Sequence, residues 1–340
     1  MTKAAELAKM GEVLTNSQIG GRRNIVINGA MQVAQRATSA TGLGATDGYY
    51  TVDRFGLNFS STAARLTMTQ TADGPSGFAN CLKLDCTTAD TSIAANEYIQ
   101  LHYRIEGQDV QQLKKGTSDA EKITVSFYVK GNASATYTCE IEDVDNNRYN
   151  SQEFSVTTSW TKVTLTYDAD TTGVLDDDNA KSMAINFWLH VGSNFTGGTH
   201  TDNVWHTTAN QRVGDNQTSF ADSTDRTFFI TGVQMEIGSQ ATPFEHRSYG
   251  EEFLLCSRYF YKPIKSGNNS ALTSTADDTY RRAYIFYPTQ MRADPTVSIT
   301  WGNGSTSAGE VNEHYAYHYV SVGNTTSATY IDTHQYDAEL

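Results

Sequence analysis

Apolar and polar positions alternate most cleanly through Phe228–Ile237, where Phe229, Thr231, Val233, Met235 and Ile237 point one way and Phe228, Ile230, Gly232, Gln234 and Glu236 the other. A period of two predicts a strand with one buried face. Gly238-Ser239-Gln240 ends that strand, and Pro243 removes a donor from any continuing ladder. Ser248 stands three residues before Glu251 and ahead of Phe253-Leu254-Leu255, the spacing of a capping box opening a short helix. Upstream, the same alternation predicts strands at Ala64–Gln70, Cys81–Cys86, Glu97–Ile105, Lys122–Lys130, Thr136–Glu142, Asn150–Val156, Thr161–Tyr167 and Met183–Val191. Asn24–Gly29 reads as a short strand closed by an Asn-Gly turn, and Tyr49–Phe55 as another strand. Asp145-Asn146-Asn147 suits a hairpin, because Asn and Asp tolerate the left-handed region. Short strands at steady spacing, without an internal repeat, predict a mainly β fold: a jelly-roll β-sandwich rather than a solenoid or propeller.

Only the start of the chain has a helical period. Leu7, Met10 and Leu14 form a narrow apolar stripe. A helix of about fourteen residues is marginal by itself in water, so the stripe needs sister helices, a groove on another protein, or the chain's own β-domain. Gly20-Gly21 then breaks the helix. The expected organisation is an N-terminal helical anchor or oligomerisation stem over 1–21, a jelly roll over 22–247, a connecting helix over 248–257 and a small C-terminal β-domain over 258–340.

Charge narrows the partners. A net charge of −13 disfavours nucleic acid, since a phosphate backbone needs clustered Lys and Arg. No long apolar run is present and the first residues lack a secretory core, so neither membrane insertion nor export is expected. Cys81, Cys86, Cys139 and Cys256 are too scattered for a disulfide framework and read as buried thiols.

Candidate chemistry is sparse. His190, His200, Asp202, His206 and Asp215 have metal-ligand side chains but no compact ligand spacing. Glu140, Glu142, Asp143 and Asp145 offer carboxylates without the order of a calcium loop. Nucleophile-elbow, zincin and phosphate-loop motifs are missing, so no catalytic residue, metal or cofactor is expected. Trp160, Phe127, Phe187 and Trp188 read as packing residues. The sharpest surface candidate is Tyr315, Tyr317 and Tyr319, which share one face of a predicted strand while His314 and His318 share the other. Such a stripe suits either glycan recognition or contact between subunits.

Several short motifs recur in a telling order. Asn24-x-x-x-Asn28-Gly29, Gln35-Arg36, Asp53-Arg54-Phe55, Ile105-Glu106-Gly107, Gly232-Val233-Gln234-Met235-Glu236, Ala241-Thr242-Pro243-Phe244-Glu245, Cys256-Ser257-Arg258-Tyr259 and Met291-Arg292-Ala293-Asp294-Pro295 run through nearly the whole chain. In this order the chain resembles jelly-roll tail-fibre-like and head-fibre-like virion proteins of tailed bacteriophages, marine ones especially, whose body resembles carbohydrate-binding modules. The resemblance implies a virion component, made in the host cytoplasm and often homotrimeric, and brings no catalytic residues with it. The resulting expectation is a non-enzymatic tail-fibre or spike-like protein that binds host surface glycans and contacts other virion proteins through its N-terminal segment. The alternatives are a capsid-decorating head fibre or tail adaptor with a purely structural role, and, last, a polysaccharide depolymerase.

Overall fold

The structure is a computed structural model. It describes residues 3–4, 23–263, 273–274, 280–301, 305–321 and 331–340; Leu7, Met10 and Leu14 lie outside them. The chain forms two compact units, one from residues up to Gln32 together with Ala37–His246, the other from Val33–Arg36 together with Arg247–Leu340. Among the described residues, no helix is long and apolar enough to cross a membrane.

In the first unit the strands are β1 (Ser39–Leu43), β2 (Gly48–Tyr49), β3 (Phe55–Ser60), β4 (Arg65–Thr71), β5 (Cys81–Thr88), β6 (Tyr98–Glu106), β7 (Ile123–Gly131), β8 (Ala135–Asp143), β9 (Arg148–Val156), β10 (Thr161–Tyr167), β11 (Lys181–Val191) and β12 (Thr227–Ile237). They form two six-stranded sheets, ordered β1-β4-β5-β12-β7-β10 and β2-β3-β6-β11-β8-β9. All their pairings are antiparallel. Alternating apolar positions of both sheets meet in one core. Phe127 of the first sheet packs edge-on against Phe154 and Phe187 of the second, with ring centres 5.1 and 5.0 Å apart. Tyr167 donates its hydroxyl to the Cys139 carbonyl across the sandwich at 2.9 Å. All four cysteines are free and buried.

β12 departs from the clean alternation. Phe228 and Ile230 enter the core as one register, but Val233 and Met235 are buried in the other. The phase changes at a bulge between Thr231 and Gln234, where Gly232 adopts a φ of +63° that L side chains rarely take. Beyond the bulge both faces of the strand are covered. Gln234 and Glu236 reach the Thr242-Pro243 turn, and the Thr242 amide donates to the Glu236 carboxylate at 3.0 Å.

Asn24–Gly29 is a turn, not the expected strand. Its hydrogen bonds go to side chains and to β12 rather than to a ladder. Asn24 donates its amide to the Val233 carbonyl at 3.1 Å, and its side-chain oxygen accepts from the Met235 amide at 3.0 Å. Asn28, in the left-handed region at φ +61°, donates to the Asp53 carbonyl at 2.9 Å. A Cβ on Gly29 would lie 2.0 Å from the Val233 carbonyl oxygen, so only glycine lets the turn close on the bulge. The paired asparagines and the Asn-Gly step thus read as one device, holding this turn against β12.

The second unit has a three-stranded sheet, β13 (Phe260–Tyr261), β19 (Ile331–Asp337) and β16 (Thr296–Trp301), in that order. Its other sheet is ordered β14 (Thr273–Ser274), β15 (Tyr280–Phe286), β18 (Tyr315–Ser321), β17 (Ser305–Val311). The helix Tyr249–Ser257 belongs here, and the Ser248 hydroxyl caps it by accepting from the Glu251 amide at 3.3 Å.

Candidate functional site

The β15–β18 pairing places Tyr284 opposite Tyr317 and Phe286 opposite Tyr315. Alternation then sorts β18: Ala316 and His318 are buried, while Tyr315, Tyr317 and Tyr319 are half-buried on the other face. Tyr284 and Phe286 remain 59% and 71% exposed, so the face they share with these tyrosines is open. The Tyr284 and Tyr317 rings lie 4.8 Å apart at 31°, and Tyr319 follows Tyr317 at 6.0 Å. The Tyr317 ring rests over Gly309 of β17, where a Cβ would sit 2.3 Å from the ring carbon Cδ1. Polar groups edge the patch. The Tyr315 hydroxyl bonds the Glu310 carboxylate, which raises its pKa above the ordinary phenol value. Asn312 donates to Glu310 at 3.2 Å and accepts from the Tyr315 amide at 3.1 Å. The result is a run of aromatic rings with a carboxylate and a primary amide at one edge. Flat rings supply stacking area for a pyranose, and planar polar groups supply partners for its hydroxyls.

Beneath this face lies a buried polar chain. Tyr336 shares its hydroxyl between His318 Nε2 at 2.8 Å and His334 Nδ1 at 3.1 Å, joining β18 of one sheet to β19 of the other. His318 is therefore a core residue, while His314 stands exposed in the turn before β18. Burial lowers the pKa of both core histidines, that of His334 to about 4 with a further push from His318. A folded pKa below the unfolded value of about 6.5 means that the unfolded chain takes up protons first. Stability is then complete above pH 6.5 and falls as the pH drops toward 4, by at most about 1.4 kcal/mol per pH unit for each proton. Urea melts at pH 7 and pH 5 should show this loss, and a His334→Gln variant should show a smaller one.

Among the described residues, no large aromatic side chain of the first unit is fully exposed. Trp188, Val191 and Val213 form a buried cluster with Phe195 and Tyr98 against it. The segment from Ser193 onward thus covers the outer face of the second sheet around β11. Arg212 fastens the cover. Its guanidinium grips the Glu140 carboxylate with Nε at 2.8 Å, lies 3.9 Å over the Tyr149 ring and stands 3.5 Å from Glu142. The acidic group noted in the sequence is otherwise occupied in structural roles: Asp143 pairs with the buried Lys115, and Asp145 accepts the Asp176 amide at 3.0 Å. On the outer face of the first sheet Trp160 and Phe229 are half-exposed, but the Lys130 ammonium sits 5.2 and 4.6 Å from their ring centres.

The five residues grouped in the sequence as metal-ligand types fall in three places. His200, Asp202 and Asp215 line one polar cleft of about 400 Å³ with Glu153 and Asn216. There Ser151 bonds His200 Nε2 at 3.0 Å, and Asp202 accepts the Glu153 amide at 3.2 Å. His206 pairs by its backbone with Tyr149. His190 lies instead with Asp90 and Glu97, about a hundred positions upstream and joined to it by no spacing motif. Among the described residues no tyrosine, tryptophan or phenylalanine lines the cleft, so it has carboxylates for hydroxyl groups but no broad ring for stacking.

The chain is mainly β: a sandwich of two six-stranded antiparallel sheets, followed by a small two-sheet β unit. No protein-family model matches the sequence, and no curated protein matches it. Among solved structures the chain is similar to a CBM4 module at 14% identity, over 62% of this chain and 97% of that one, with a TM-score of 0.31. It is similar also to a family 11 carbohydrate-binding module from Clostridium thermocellum in complex with a β-1,3-1,4-mixed-linked tetrasaccharide, at 13% identity, 60% and 98% coverage and a TM-score of 0.30. A third likeness is to TmCBM61 in complex with β-1,4-galactotriose, at 9% identity, 63% and 99% coverage and a TM-score of 0.31.

Proposed function

We propose that this chain is a non-enzymatic, glycan-binding component of a bacteriophage particle, a short tail-fibre or spike-like protein acting as a homotrimer. The observation that carries glycan binding is the open aromatic face of Tyr284, Phe286, Tyr315 and Tyr317, edged by Glu310 and Asn312. Apolar rings at this exposure are costly unless something covers them. The net charge of −13 favours neutral sugars over polyanionic ones. Single sites of this kind are weak, and three copies on one particle would raise avidity without new contacts. The virion role, the trimer and the N-terminal attachment rest on the ordered sequence motifs that resemble phage fibre proteins. The test is a screen of the full chain against neutral surface glycans. Retention of intact oligosaccharide is the expected result; release of shortened products would make the protein a depolymerase instead.

A second reading rests on Phe286, which is 71% exposed and the most apolar part of the patch. There the face packs between subunits and the protein is a purely structural head fibre or adaptor. Light scattering separates the two: Phe286→Ser leaves the oligomer mass unchanged if the face binds sugar, and lowers it if the face joins subunits.

A further inference from the structure

We propose that Asp90, Glu97 and His190 form a binding site for a divalent first-row transition-metal ion, with zinc as the test ion. Asp90 lies in the connection between β5 and β6, Glu97 at the entrance to β6, and His190 near the end of β11. One ligand atom from each comes within 4.8 Å of the others, and all three residues are buried, at 6%, 6% and 0% exposure.

The geometry leaves one imidazole nitrogen aimed into this cluster. His190 Nδ1 is held by the Ser219 hydroxyl at 2.7 Å. Its Nε2 is buried, has no hydrogen-bond partner, and stands 3.6 Å from a Glu97 oxygen, outside hydrogen-bond range. A ring fixed at one nitrogen and free at the other is the arrangement that orients a histidine toward a metal.

Charge points the same way. Among the described residues, neither Asp90 nor Glu97 has a lysine or arginine in ion-pair contact. Asp90 is supported by the Thr62 hydroxyl at 2.9 Å and the Ala63 amide at 2.7 Å, and Glu97 by the Ala94 amide at 2.9 Å. These neutral donors orient the carboxylates without cancelling two buried negative charges, which a divalent cation would. A mixed set of one nitrogen and two carboxylates suits zinc or its first-row neighbours, whereas calcium and magnesium prefer all-oxygen ligation. The ion would be structural, tying the β5–β6 connection to β11.

The test uses the full chain without a histidine tag, stripped with a chelator and titrated with zinc, cobalt(II) or calcium. Stoichiometric zinc uptake, a raised Tm with zinc and a visible cobalt(II) band are expected, all lost in Glu97→Gln and His190→Gln. The cobalt spectrum of the unaltered chain needs no variant to fold. Failure to take up zinc, uptake unchanged in both variants, or binding of calcium alone would each overturn the assignment.

Discussion

Tyr317→Ala should weaken glycan binding by about 10- to 100-fold, the range for a central aromatic anchor. Tyr317 is the middle of the aromatic run: Tyr284 flanks it at 4.8 Å, Tyr319 at 6.0 Å, and Gly309 lies under its ring. Removing it opens a gap in the stacking surface and leaves the neighbouring rings without support. Because the side chain is only half-buried, the loss of stability should stay within about 1–2 kcal/mol. Gly309→Ala probes the same point from the other side. It keeps every aromatic residue but places a methyl 2.3 Å from Tyr317 Cδ1, forcing the ring to tilt. It should therefore also reduce binding, as measured by isothermal titration with the best sugar from the screen. A change confined to the oligomeric mass would instead assign the face to subunit contact.

Arg212→Ala should strongly destabilise the first unit, costing about 3–5 kcal/mol. The reason is what it leaves behind. Glu140 is fully buried, and Arg212 is its bidentate cationic partner, with Asn186 adding one neutral bond at 3.0 Å. Truncation strands the carboxylate and also removes the cation from the faces of Tyr149 and Trp188. Pairing the change with Glu140→Gln should recover much of the loss, since the uncompensated charge is gone. Urea denaturation of the single and double variants checks both statements. A loss below about 1 kcal/mol would mean that the pair is effectively solvated.

These residues also mark what could be read from the sequence. The sandwich strands from β4 to β12 were legible because period two survives wherever one face is buried, as in β5 and β10, whereas β1 was not read and the expected strand Tyr49–Phe55 is a turn between β2 and β3. The phase change at Gly232 was not, because a bulge is set by the partner strand and by the turn at Gly29 about two hundred positions away. The same separation hid the role of Asn24 and Asn28, which a local reading turns into a strand. In the second unit, alternation placed Tyr315, Tyr317 and Tyr319 together, but Tyr284 and Phe286 joined them only through the β15–β18 register. Sequence proximity misled at His190: grouped with His200 and His206, it sits at the end of β11, where the chain turns away and Asp90 and Glu97 close in from the other side.

The most direct test of glycan binding is a crystal structure of the full chain soaked with its best neutral oligosaccharide. A sugar ring stacked on Tyr317 and Tyr284, with hydroxyls on Glu310 and Asn312, is the expected result. A sugar bound in the cleft of Glu153, Asp202 and Asp215, with the aromatic face empty or covered by another subunit, would contradict it.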